Sequence, residues 1–155
     1  MNFKPYFIAA ALLMISACSS KPVADETHMF NNNCWLRFEP EVFTADITDS
    51  DRPYIISLTL TYDTARFKAS EMPLVVDFFA DSNEMHNFTS RIRLRDKRGN
   101  LRGETIGQYC SVTDTIDSYR IFNRPATYTY RIKQGTSKYE IYGMSKLNMK
   151  VSKTK

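Results

Sequence analysis

Tyr54-Ile55-Ile56-Ser57-Leu58-Thr59-Leu60-Thr61-Tyr62 sets a large apolar side chain at every second position. Successive side chains of a β-strand point to opposite faces, so Tyr54, Ile56, Leu58, Leu60 and Tyr62 share one face. Ile55, Ser57, Thr59 and Thr61 take the other, which is the pattern of a half-buried strand. The same period returns at Phe43, Ala45 and Ile47, and at Leu74, Val76, Phe78 and Ala80. It recurs at Phe88, Ile92 and Leu94, with Ser90 in that row, at Ala126, Tyr128, Tyr130 and Ile132, and at Leu147, Met149 and Val151.

Pro53, Pro73 and Pro125 each read as standing just ahead of a strand, where a missing N–H is tolerated. Asp96-Lys97-Arg98-Gly99-Asn100 and Lys133-Gln134-Gly135-Thr136 read as turns. Long helical periodicity is absent, and Thr64 to Met72 is the one place for a helical turn. The expected fold is all-β: a single domain, an antiparallel β-sandwich of about seven to nine strands, with a closed barrel as the alternative.

Outward from this core, the first residues carry an address. Met1-Asn2-Phe3-Lys4 supplies one positive charge, an apolar run follows from Tyr6 to Ile15, and Ile15-Ser16-Ala17-Cys18 closes it. The run is shorter than the about 20 residues that a membrane span needs. Small residues before a cysteine resemble a bacterial lipoprotein signal peptide, in which the cysteine sulfur is the nucleophile that accepts the lipid. The expected organisation is a signal peptide over 1–17, a lipidated N-terminus and tether over 18–33, and the β-sandwich over 34–155. Ser19 to Thr27 is polar and aperiodic, as a tether is.

Lys4 is one of the chain's 21 Lys and Arg residues, so cleavage before Cys18 leaves 20 basic against 17 acidic side chains, a balance of +3. That balance is ordinary for solubility and carries no nucleic-acid signature. Cys34 and Cys110 remain after Cys18 is lipidated. Two readings stand: a disulfide closing a long loop, stabilising by about 4 kcal/mol on the chain-entropy model, or two buried free thiols.

Catalytic signatures are missing. His28 and His86 have no third ligand at metal spacing, and the chain holds no H-E-x-x-H, C-x-x-C or G-x-S-x-G. Gly103-Glu104-Thr105-Ile106-Gly107 lacks the Gly-Lys-Ser/Thr end of a phosphate loop. Asp46, Asp49 and Asp51 read as a turn, since the glycine and glutamate of a calcium loop are absent. The expectation is a protein that is not an enzyme and needs neither metal nor cofactor.

Two features carry a binding reading beside a plainer one. Arg91, Arg93 and Arg95 alternate with apolar residues and face one side of a strand. They are either a cationic stripe for an acidic partner or glycan phosphate, or a solvated face paired with carboxylates across the sheet. Trp35, the only tryptophan, is either a core aromatic or a partner anchor.

Several segments together resemble the gliding-motility lipoprotein H (GldH-like) family of Bacteroidota. Leu94-Arg95-Asp96-Lys97-Arg98-Gly99-Asn100-Leu101-Arg102-Gly103-Glu104-Thr105-Ile106-Gly107 is similar to the family's leucine-x-aspartate stretch with spaced glycines. Tyr54 to Leu60, Pro73 to Val76, Pro125 to Ile132, and Tyr142-Gly143-Met144 with Leu147 to Val151 resemble its strands. The likeness covers most of residues 35–152. It departs at Pro125, where a glycine is expected, and in the Cys34 and Cys110 pair.

The resemblance implies a cell-envelope lipoprotein, an accessory of gliding motility and type IX secretion that meets envelope proteins through protein–protein contacts. It carries over no catalytic residues. Ser19-Ser20-Lys21-Pro22 lacks the acidic cluster that follows the cysteine in this phylum's surface lipoproteins, which implies an outer-membrane anchor facing the periplasm. Asp63-Thr64-Ala65 and Asp114-Thr115-Ile116 resemble the phylum's O-glycosylation tripeptide, with Thr64 and Thr115 as acceptors in expected loops. The alternative function is an envelope binding module, for glycan or an acidic partner, unrelated to motility.

Overall fold

A computed structural model describes residues 21–81 and 84–154. Among these the chain is all-β, with strands β1 (Ala24–Met29), β2 (Cys34–Leu36), β3 (Glu41–Ile47), β4 (Tyr54–Asp63), β5 (Glu71–Ala80), β6 (Glu84–Arg93), β7 (Glu104–Ile106), β8 (Tyr109–Arg120), β9 (Ala126–Gln134), β10 (Glu140–Tyr142) and β11 (Met144–Lys153). They form a five-stranded sheet in the order β1-β11-β4-β8-β7, a four-stranded sheet in the order β3-β9-β5-β6, and a two-stranded sheet of β10 and β2. All strand pairs are antiparallel. The architecture is sandwich-like.

The alternation places the core as the sequence implies. Tyr54, Ile56, Leu58, Leu60 and Tyr62 of β4 are fully buried, as are Leu147, Met149 and Val151 of β11. Phe43, Ala45 and Ile47 of β3, Leu74 and Val76 of β5, and Tyr130 and Ile132 of β9 face them from the other large sheet, and all join one hydrophobic cluster. Each such aliphatic side chain stabilises the fold by about 1.5–3 kcal/mol relative to exposure. At one end Phe122 lies between Tyr54 and Tyr128, at ring distances of 5.2 and 4.4 Å, and spans the two sheets.

Three expectations need correction. Eleven strands form instead of seven to nine, because β2, β7 and β10 have three residues each, too few to show a period. The tether expected over 18–33 is folded in its second half. Ala24–Met29 pairs with β11 from Ala24↔Val151 to Met29↔Lys146, and Asn31–Asn33 forms a 3-10 turn. This edge strand is polar because it contributes few side chains to the core, so it shows no apolar period. Pro73 lies inside β5 and not ahead of it. Its carbonyl accepts from Gly135 N–H at 2.7 Å, so its missing N–H faces the same side, where pairing with β9 ends at Leu74↔Gln134. The expected helical turn is a short turn over 64–66, and β5 begins at Glu71.

The two large sheets approach each other along two seams. At β6–β8 the Asp114 carboxylate accepts from the Arg93 backbone N–H at 3.0 Å. At β1–β3 the His28 ring stacks on Phe43 at 4.2 Å and hydrogen-bonds Glu41 at 2.9 Å.

Close backbone approach fixes the β7–β8 corner. A Cβ on Gly103 would lie 2.0 Å from the Ser111 carbonyl oxygen and 2.8 Å from Val112 Cγ2. Gly107, at φ +59°, has open space around it. Gly103→Ala is therefore expected to lower unfolding free energy by about 2–3 kcal/mol through overpacking. Gly107→Ala costs about 1 kcal/mol, from the left-handed backbone alone. Chemical denaturation of the two variants checks the ranking, and an equal loss would contradict the assigned β7–β8 packing.

Candidate functional site

The arginine stripe lies on one side of the chain as the alternation requires, with β6 ending at Arg93 and Arg95 following in an isolated bridge to Leu101. Each arginine has an acceptor within the protein. Arg91 reaches Glu71 at 3.3 Å, Arg93 reaches Asp114 at 3.3 Å, and Arg95 donates to the Gly99 carbonyl at 2.9 Å. Arg102 joins Asp114 at 3.2 Å and also donates to the Arg93 carbonyl at 2.8 Å. Asp114 is thus the shared acceptor of a seam. Its burial opposes ionisation, but the Arg93 backbone N–H and the guanidinium groups of Arg93 and Arg102 outweigh that and hold its carboxyl below the usual range.

The other sequence candidates are scattered. Cys18 lies outside the described residues. Trp35 is only 1 % exposed and packs on Phe30 at 4.9 Å. Cys34 and Cys110 are both free. Cys110 lies opposite Tyr62, which lies opposite Met144, so two strand spacings, about 10 Å, separate Cys110 from β11. Cys34 instead pairs with Tyr142 in the small sheet. A disulfide needs Cα atoms within about 7 Å. Thr64 is in a turn, half-buried, with its hydroxyl donating to the Gln108 carbonyl at 3.1 Å. Thr115 is exposed but lies within β8, opposite Ser57, and not in a loop.

What the fold does bring together is a groove of about 750 Å³ at the end of the domain where β1 runs into the 3-10 turn. It is lined by His28, Phe30, Cys34, Trp35, Glu39, Glu41, Glu140 and Tyr142, among others. The side chains come from β1, β2, the β2–β3 connection, β3 and β10. His28 bridges Glu26 at 2.8 Å and Glu41 at 2.9 Å through its two ring nitrogens. Burial works against its charge, yet the hydrogen bonds to Glu26 and Glu41 prevail and raise its pKa above the ordinary 6.5. Burial also pushes the Cys34 thiol up, and the Glu140 carboxylate adds to the rise. The Tyr142 phenol donates to Glu140 and is raised by that bond. Met29 and Tyr142 stand 67 % and 54 % exposed along the groove, and Phe38 and Tyr139 pair nearby at 5.9 Å.

Sequence reasoning missed this groove because its residues are spread from 28 to 142 and no motif joins them. The one local signal was Cys34-Trp35 beside the Asn31-Asn32-Asn33 run. A second cleft, of about 540 Å³, lies at the opposite end between Phe78, Arg120, Phe122 and Tyr128.

Two measurements test these assignments. His28 has a folded pKa raised above its unfolded value, so its stabilisation is complete below about pH 6.5 and is lost as pH rises through the folded pKa. The melting-temperature gap between wild type and His28→Gln is expected to shrink from pH 6 to pH 9. A gap that stays constant would show that only the Phe43 stacking matters. At the other seam, Asp114→Asn is expected to cost about 2 kcal/mol, the scale of hydrogen bonds to charged groups. Arg91→Ser costs about 0–1 kcal/mol, as exposed pairs do. Equal losses in denaturant titrations would remove Asp114 as the seam's centre.

No curated protein matches the chain by sequence. A protein-family model does match it, over residues 22–151, from the segment leading into β1 to Val151 within β11. The match starts after the lipobox, so it rests on the folded domain itself. The chain belongs to the GldH lipoprotein family.

Proposed function

We propose that this protein is a lipid-anchored accessory component of a gliding-motility and type IX secretion assembly, acting by protein–protein contact and not by catalysis. The observation that carries this reading is the family match over nearly the whole described domain. Cys18 is the lipidated residue, and the anchor sits in the outer membrane with the domain facing the periplasm.

Geometry supports a defined orientation. Val23 N–H bonds the Val151 carbonyl at 2.8 Å, beside the end where Lys153 of β11 stands opposite Tyr54 of β4. Only Ser19 and Ser20 separate Cys18 from Lys21, a span of at most about 11 Å. The membrane therefore lies at that end, and the acidic groove at the far end faces outward to partners.

A second reading, a glycan-binding module unrelated to motility, is favoured by one observation. Ser57, Thr59 and Thr61 of β4 stand opposite Thr115, Thr113 and Ser111 of β8 and make a ladder of hydroxyls on the outer sheet face. Thr59 and Thr113 meet at 2.7 Å, and Thr61 and Ser111 at 2.8 Å.

Crosslinking and pull-down from membranes separate the readings: recovery of secretion or motility components is expected, and recovery of polysaccharide alone favours the second. Cys18→Ala is expected to abolish fatty-acid labelling and release the protein from the membrane fraction. Unchanged labelling would overturn the anchor.

A further inference from the structure

We propose that the groove at the membrane-distal end is a docking site for a lysine- or arginine-bearing segment of a partner protein. This deepens the protein-contact reading above and rests on it for the identity of the partner, though not for the chemistry of the site.

The charge of the groove is one-sided. Glu39, Glu41 and Glu140 line it and Glu26 adjoins it, while no Lys or Arg is among the lining residues. The imidazole of His28 is shared between Glu26 and Glu41. Glu39 and Glu140 are both exposed, and among the described residues neither forms an ion pair with a Lys or Arg. Burial raises the Cys34 thiol, with the Glu140 carboxylate adding to the rise, and the hydrogen bond to Glu140 raises the Tyr142 phenol. Elsewhere the protein spends its carboxylates internally: Asp114 on two arginines, Asp77 on Lys133 at 2.7 Å, and Asp49 on Lys153 at 3.1 Å. Among the described residues Glu39 and Glu140 have no such cationic partner, and the Glu140 carboxylate accepts only from the Tyr142 phenol.

A second, independent observation points to a ligand. Trp35 lines the groove at 1 % exposure, and its indole N–H has no acceptor. A buried donor without a partner costs about 1–3 kcal/mol. A backbone carbonyl of a docked segment supplies the acceptor that it lacks. The half-exposed Tyr142 ring offers the face on which a guanidinium or ammonium group stacks. The volume of the groove, about 750 Å³, fits a few side chains and falls in the range of ligand sites. Carboxylates to fix a cation, an aromatic face and an unspent N–H together suit a cationic peptide.

Trp35 is the only tryptophan in the chain, so its emission reports occupancy of this groove directly. The soluble domain, with its lipobox cysteine replaced, is titrated with an acetylated and amidated decapeptide alternating arginine and leucine. The same length with glutamate in place of arginine is the comparison. The cationic peptide is expected to shift Trp35 emission saturably and to bind at least tenfold more weakly in 0.5 M salt. The double variant Glu39→Gln, Glu140→Gln is expected to lose at least tenfold in affinity while its melting curve matches wild type. Asp51→Asn, at the opposite end, is expected to bind as wild type does.

Equal binding of both peptides, or equal binding by wild type and the glutamine double variant, overturns the site. If the double variant folds poorly, Glu140→Gln alone replaces it under the same criteria. Peptide binding that obeys these criteria without recovery of motility or secretion components in the pull-down leaves the groove standing and removes the assembly. Recovery of those components at full yield by the double variant removes the groove and leaves the assembly.

Discussion

Two sheets share one core only where their edges meet without stranding polar groups, and Asp114 meets that condition at the β6–β8 seam. Its carboxylate takes the backbone N–H of Arg93 from one sheet while its own strand belongs to the other. Arg93 and Arg102 then neutralise the charge that burial would otherwise penalise. Arg102 also donates to the Arg93 carbonyl, so both main-chain polar groups of Arg93 are satisfied at the strand's end. Of the three alternating arginines only Arg93 has this duty, while Arg91 reaches Glu71 and Arg95 the Gly99 carbonyl. A strand at the edge of a sheet also needs charged side chains that discourage pairing with another molecule.

The opposite seam uses softer chemistry. His28 takes the place of the arginines, Glu41 that of Asp114, and stacking on Phe43 adds an apolar contact. One seam therefore holds its charge over all ordinary pH values, since an arginine stays protonated. The other loses its charge as pH rises through the raised pKa of His28. They also differ in surroundings. The arginine seam borders a cleft lined by Glu71, Arg91, Arg93 and Asp114, whereas the histidine seam opens into the acidic groove.

The sequence made the long strands legible because each repeats its period often enough to be unambiguous. Tyr54 to Tyr62 and Leu147 to Val151 fold with the faces that alternation assigns. The short strands were not legible, since Cys34–Leu36 and Glu140–Tyr142 exist only as partners of each other, 104 to 108 residues apart in register. The edge strand Ala24–Met29 was hidden for another reason. Its hydrogen bonds to β11 hold it in place, and backbone pairing leaves no mark on side-chain pattern. Trp35 follows from the same cause: its strand is fixed by distant pairing, and only that pairing shows that the indole turns inward. The groove inherits every one of these gaps, because its walls are the elements that the period does not reveal.

The order of the two ends gives the groove its meaning. The N-terminal strand starts beside Val151 and runs the length of the five-stranded sheet before it turns at Asn31–Asn33. That strand thus spans the whole distance from the proposed anchor to the groove. Its first residues bond beside Val151 and its last ring contacts, Phe30 on Trp35, form the groove wall. With the proposed anchor at one end and the proposed partner at the other, a pull between them would be borne by β1 in shear, along the strand and across its ladder with β11. Antiparallel ladders loaded this way must break several main-chain hydrogen bonds together, whereas a strand peeled from its end loses them one at a time. On that arrangement a folded segment would carry load where a flexible tether would only stretch.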